Sequence, residues 1–182
     1  MLNLPNTLTL LRIAAIPAIL ITLDSGQFGL SFLLFVAAGL TDGLDGGIAR
    51  MTNSRTELGA YLDPLADKGL VLTLLVKLTL MGHVPFWVLT IILTRDIVCL
   101  TGYLILFFLT GDKIEIRPSA FGKFATFFQI SGVGGALLLL WQPGFAPLGL
   151  VEAILAAAAT LTAIAGVQYV LRGLQWYQAR PA

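Results

Sequence analysis

Six apolar stretches, each near the length of a bilayer-crossing helix, take up almost the whole of this 182-residue chain. They run from Leu8 to Leu23, Phe28 to Ala49, Leu58 to Leu80, Phe86 to Leu109, Ser119 to Trp141 and Leu148 to Leu171. About 20 apolar residues let a helix cross the hydrocarbon layer, where only helices and closed barrels keep every backbone amide bonded. A barrel would show short segments of alternating polarity, and the chain has none. The stretches are separated by turns at Asp24-Ser25-Gly26-Gln27, Gly82-His83-Val84-Pro85 and Gln142-Pro143-Gly144. A polar loop covers Met51 to Glu57 and a charged one Gly111 to Pro118. Hydrophobic residues make up 57% of the chain, above the roughly 45–50% of a soluble domain. The expectation is an all-α integral membrane protein with six transmembrane helices in one domain over residues 1–182. The first stretch lacks a basic lead and a cleavage site and is expected to be retained as a span.

Charge sets the orientation. Arg12, Arg50, Arg55, Lys113, Arg117, Arg172 and Arg180 fall on one side, while the turns at 24–27, 82–85 and 142–147 hold no Lys or Arg. Only Lys77 lies near that second side. Basic loops stay inside, so both termini and the loop between the second and third helices are expected in the cytoplasm, with the protein multi-pass in the cell (inner) membrane. The single cysteine, Cys99, has no internal partner to pair with and reads as a packing residue. His83, in a far-side turn, reads as an ordinary interfacial residue.

Against this background stand four aspartates, Asp42, Asp45, Asp63 and Asp67, within 26 residues of a chain that is only 12% charged. Ionisable groups at membrane depth are costly and mark function. One pair is three apart and the other four apart, so each pair shares a helix face. Facing helices would gather four carboxylates, which repel unless cations neutralise them. Oxygen-only ligands suit Mg²⁺, Mn²⁺ or Ca²⁺ rather than zinc. Mg²⁺ shares itself between carboxylates and substrate phosphates, so a pyrophosphate-bearing ligand is the natural third party. Gly43, Gly46, Gly47, Ala49, Gly59 and Ala60 leave room for close approach, and Arg50 can offer a guanidinium fork to phosphate.

The run from Asp42 to Asp67 resembles the signature of the CDP-alcohol phosphatidyltransferase family, D-x2-D-G-x2-A-R-x8-G-x3-D-x3-D. Asp42, Asp45, Gly46, Ala49, Arg50, Gly59, Asp63 and Asp67 stand in its fixed positions with every spacing kept. The resemblance implies an enzyme of phospholipid biosynthesis that moves a phosphatidyl group from CDP-diacylglycerol to an alcohol and releases CMP. It implies that Asp42, Asp45, Asp63 and Asp67 hold two divalent ions, Mg²⁺ or Mn²⁺, with Asp67 also the general base. Gly46, Ala49, Arg50 and Gly59 would line the CDP site. Asn6 and Thr7 could cap the first helix, the simple account, and the resemblance implies that Asn6 would also reach the nucleotide. The site would open to the cytoplasm.

The acceptor is read from cations elsewhere. Arg95 lies mid-span in the fourth stretch beside Asp96, which a helix directs elsewhere. Arg117 and Lys123 flank the start of the fifth. Together they could form a basic pocket for an acceptor phosphate, or serve as structural pairs and membrane anchors. LPNTLTLLRIAAIP and LGAYLDPLADK resemble bacterial members of the family that use glycerol-3-phosphate, giving phosphatidylglycerophosphate. Arg95-Asp96 and the later Arg-Pro-Ser…Gly-Lys run resemble CMP-forming members that use phosphatidylglycerol and make cardiolipin. Glycerol-3-phosphate is favoured. Membrane lipids are expected partners and nucleic acid is not. The glycines in 132–135 point to helix packing, with a homodimer contact as one option. A transporter would place carboxylates at mid-membrane among repeated halves, and no repeat is seen. An inert lipid-binding scaffold would have no need of all four aspartates.

Overall fold

The computed structural model describes the backbone over residues 4–52, 57–110 and 119–178, and side chains over 11–41, 66, 68–110 and 119–178. Among these residues there are six helices and no strand. They are α1 (Leu4–Asp24), α2 (Phe28–Thr52), α3 (Glu57–Leu80), α4 (Phe86–Thr110), α5 (Ala120–Trp141) and α6 (Leu148–Gln178). Three of them, α4, α5 and α6, are long and apolar enough to cross a membrane, and α2 opens with a shorter apolar stretch over Phe28–Thr41.

Three boundaries differ from the sequence reading. Helix α1 starts at Leu4, so Asn6 lies inside its first turn and not at a cap. Helix α2 continues through Met51 and Thr52, which had been expected in a loop. Helix α6 runs to Gln178, placing Arg172 within the helix and not in a tail. Polar and aromatic residues such as Gln175, Trp176 and Tyr177 have ample helix propensity, so loss of hydropathy need not end a helix.

Two compact units make up the chain: Met1–His83 with Val133–Leu148, and Val84–Gly132 with Gly149–Ala182. In the first, α1 packs against both α2 and α3. Helix α1 closes on Gly26 at φ 72. The Gln27 N–H reaches back to the Thr22 carbonyl at 2.8 Å and the Gly26 N–H to the Leu23 carbonyl at 3.1 Å. Helix α3 ends the same way, with Gly82 at φ 80 and the His83 N–H on the Leu78 carbonyl at 2.9 Å. These are left-handed glycine caps that satisfy the last carbonyls. The hydroxyls of Thr22 and fully buried Ser31 meet at 2.8 Å across α1 and α2. Ile19, Leu23, Leu74, Leu75 and Leu78 are buried core residues. Lys77 pairs with Asp24, which neutralises the one cation near the expected outer side. Gly134 admits the Phe35 ring, and Gly29 lies against the Trp141 indole.

In the second unit α6 buries a stripe of small residues, including Ala158, Ala159, Thr162, Ala165 and Gly166. Small side chains let helices approach closely where hydrocarbon supplies no hydrophobic drive between them. Gly132 faces Leu155. The Gln129 amide donates to the Thr162 hydroxyl at 2.9 Å, and that hydroxyl donates to the Ala158 carbonyl at 2.6 Å. Ile97, Leu100, Ile105, Phe108 and Leu109 on α4 are exposed, an apolar surface of the kind that contacts lipid.

Candidate active site

Helix direction in the first unit follows from its turns. The three-residue turn and the Thr22–Ser31 hydrogen bond set α1 and α2 antiparallel. The Lys77–Asp24 pair brings the C-terminal end of α3 to the same end of the unit as the C-terminal end of α1. Helices α2 and α3 therefore run in opposite directions.

At about 1.5 Å per residue, depth can be counted from that shared end. Asp42 lies 14 residues into α2 from Phe28, and Asp67 lies 13 residues back along α3 from Leu80. Both stand at about 20 Å. Asp45 and Asp63 are each 17 residues along, at about 25 Å. By this count Asp42 falls near the depth of Asp67, and Asp45 near that of Asp63, on helices that run in opposite directions. Ser31, Phe35 and Ala38 are buried on α2, and Ala66, Leu70 and Leu74 on α3. The side chains of Asp42, Asp45, Asp63 and Asp67, and of Asn6, Ala49 and Arg50, lie outside the described residues, as do the surroundings of Gly46 and Gly59 and the whole of Arg117.

One residue of this site escaped the sequence reading. Arg12 was expected as a cytoplasmic-side anchor, but only 3% of it is exposed. It lies on the α1 stripe that continues through Ile19 and Leu23, 12 residues back from Asp24, at about 18 Å on the same scale. By this count the backbone of a buried arginine falls near the depth of Asp42 and Asp67. The signal was present in the sequence as an arginine interrupting an apolar run.

The acceptor candidates belong to the second unit. Arg95, on α4, is a quarter exposed and threads between α5 and α6. Its Nη1 donates to Asp96 Oδ1 at 2.7 Å, which corrects the expectation that adjacent helical residues point apart. The arginine stem is long enough to fold back on its neighbour. The Nε–H of Arg95 is buried without a hydrogen-bond partner among the described residues. Lys123 is exposed in the first turn of α5, which Ser119 caps by accepting the Gly122 N–H at 3.1 Å. Between α4 and α6 lies a cavity of about 470 Å³, nearly all apolar, lined by Thr90, Thr94, Arg95, Ala163, Gly166 and Val167 among others.

Comparison with known proteins adds an independent line. A family model described as CDP-alcohol phosphatidyltransferase matches residues 2–165. A Mycobacterium tuberculosis protein, provisionally named a phosphatidylglycerophosphate synthase, is 37% identical over 180 residues, covering 95% of this chain and 82% of that protein. The CDP-diacylglycerol–glycerol-3-phosphate 3-phosphatidyltransferase of Rickettsia bellii is 39% identical over 176 residues, covering 92% and 93%. A Mycobacterium bovis protein with a provisional cardiolipin synthase name is 37% identical over 139 residues, covering 75% and 65%. Family match and signature spacing agree, and the chain belongs to the CDP-alcohol phosphatidyltransferase family.

Proposed function

We propose that this enzyme transfers the phosphatidyl group of CDP-diacylglycerol to glycerol-3-phosphate, forming phosphatidylglycerophosphate and CMP. What carries the reading is the family match over residues 2–165, with the four aspartates at the family's spacing on helices that run in opposite directions. An all-oxygen set of four carboxylates fits two Mg²⁺ or Mn²⁺ ions, held by Asp42, Asp45, Asp63 and Asp67. When bound, the ions supply charge stabilisation for the donor pyrophosphate and the CMP leaving group. Asp67 takes the proton of the acceptor hydroxyl. The freed oxygen bonds to the phosphorus bearing diacylglycerol while the bond from that phosphorus to CMP breaks. Asn6, Gly46, Ala49, Arg50 and Gly59 line the nucleotide site, and Arg12 offsets part of the carboxylate repulsion. Arg95, Arg117 and Lys123 take the acceptor phosphate.

Six spans in one catalytic domain, a site open to the cytoplasm and residence in the cell membrane complete the reading. Support comes from the length of α1–α6 and from the Lys77–Asp24 pair, which leaves the outer ends without a free cation among the described residues. A homodimer needs glycines other than Gly132 and Gly134, since both pack within the chain.

A second reading has its own support. The Arg95–Asp96 ion pair and the Mycobacterium bovis relative favour phosphatidylglycerol as acceptor, with cardiolipin as product. The deciding experiment incubates purified protein with labelled CDP-diacylglycerol and Mg²⁺ or Mn²⁺, offering each acceptor separately. Phosphatidylglycerophosphate is expected from glycerol-3-phosphate, with all turnover lost on chelation by EDTA. Cardiolipin from phosphatidylglycerol alone would replace the first reading by the second, and CMP release in neither case would overturn both.

A further inference from the structure

Two glycines on separate helices frame Arg95. A Cβ built at Gly166 of α6 would lie 3.0 Å from Arg95 Cγ and 3.6 Å from its Cβ. A Cβ built at Gly122 of α5 would lie 3.7 Å from Arg95 Nη2, beside Ser119 Oγ at 3.6 Å and Ala165 Cβ at 4.0 Å. The Gly166 contact involves the base of the side chain, which is fixed to the α4 backbone and has little room to shift. The Gly122 contact is ordinary van der Waals distance, so an alanine there would fit against the guanidinium. The notch at Gly166 therefore decides where the arginine stem leaves α4.

The guanidinium is also committed on one side. Asp96 takes Nη1 at 2.7 Å, while Nε is buried with no partner among the described residues. In an arginine the Nε–H and one Nη2–H point the same way and form a side-on fork that matches two oxygens of a phosphate or carboxylate. Holding Nη1 with Asp96 leaves that second edge unspent among the described residues. A buried donor without an acceptor is unfavourable, and a ligand oxygen would satisfy it.

We propose that Gly166 and Asp96 are positioning residues that fix Arg95 so that its Nε–Nη2 edge receives the phosphate of the acceptor. The inference rests on the reading that Arg95 binds the acceptor. It goes beyond that reading by naming what aims the arginine and which edge it uses.

The test measures steady-state kinetics of purified Arg95→Ala, Gly166→Ala, Asp96→Asn and Gly132→Ala, with glycerol-3-phosphate and CDP-diacylglycerol varied in turn. Gly132→Ala is the packing control, because its Cβ would meet Leu155 in the same unit and not Arg95. The expected result is a rise of about tenfold or more in the glycerol-3-phosphate KM for Gly166→Ala. Its kcat and its KM for CDP-diacylglycerol should stay within about twofold, and Asp96→Asn should show a smaller rise of the same pattern. Arg95→Lys, which keeps the charge and loses the fork, should match Arg95→Ala more closely than wild type. If Arg95→Ala raises the acceptor KM and Gly166→Ala does not, the positioning role is overturned while the acceptor reading stands. If Gly132→Ala shifts the acceptor KM as much as Gly166→Ala, the effect is loss of packing and the positioning role is again overturned. If Arg95→Ala leaves the acceptor KM unchanged, the acceptor reading falls and this inference falls with it.

Discussion

In the proposed reaction Asp67 both holds a divalent ion and accepts a proton, and a carboxylate can do both only while ionised. Asn has the same shape and keeps one ligand oxygen but is no base. Asp67→Asn should therefore lower turnover by about 10²–10⁴-fold, the usual contribution of a general base, with binding of CDP-diacylglycerol largely kept. Equilibrium binding of labelled donor beside the turnover assay checks this, and near-normal turnover would remove Asp67 from the role of base. Arg12 makes a different kind of claim. It is a buried cation whose backbone falls near the counted depth of the aspartates, so it matters most when no metal offsets their charge. Arg12→Gln should lower the melting temperature more in EDTA than in saturating Mg²⁺. An equal drop under both conditions would separate Arg12 from the acidic cluster.

At the scale of the helix, packing and propensity pull glycines in opposite directions. A Cβ at Gly29 would come within 2.7 Å of Trp141 Nε1 and 3.0 Å of two ring carbons. The indole is rigid and already lies against Phe32, with ring centroids 5.8 Å apart. Overpacking of this kind costs about 1–3 kcal/mol. Ten residues along the same helix, a Cβ at Gly39 would meet nothing within 4 Å, and there the gain in helix propensity is up to about 1 kcal/mol. Thermal unfolding in detergent should thus move down for Gly29→Ala and up, or not at all, for Gly39→Ala. A shift of both in the same direction would show that the steric difference does not control stability. Between helices, the Gln129–Thr162 hydrogen bond joins α5 to α6 and is part-buried. Thr162→Val should cost about 1 kcal/mol, the scale measured for such bonds in membranes.

For the whole molecule the question is which ends lie on which side. The turns at Gly26, Gly82 and Gly144 carry the three positive-φ glycines among the described residues, and the sequence puts all three on the side poor in cations. With Cys99 replaced by Ser, single cysteines at Ser25, His83 and Gln142 should react with a membrane-impermeant maleimide added outside intact cells. One at Gln178 should react only after the membrane is opened. Labelling of Gln178 from outside would reverse the orientation and place the aspartate site on the wrong face for cytoplasmic CDP-diacylglycerol.

The sequence by itself determined the six helices, most of their turns and the family to which the chain belongs. Helix formation in an apolar chain is a local matter of hydropathy and length, and the aspartate spacing is fixed by the helical repeat. The glycines that close α1 and α3 were equally legible, because a left-handed cap has a local residue preference. What the sequence left open was everything that depends on one helix meeting another. Arg12 read as an anchor because burial is decided by what packs against a helix, and here it is 3% exposed on a helix that packs against two others. Arg95 and Asp96 read as pointing apart because helical geometry fixes Cβ directions but not where a long stem can reach. The notch at Gly166 had no sequence signal at all, since a glycine in a membrane helix says only that something comes close. Only the tertiary structure shows that it is the stem of Arg95.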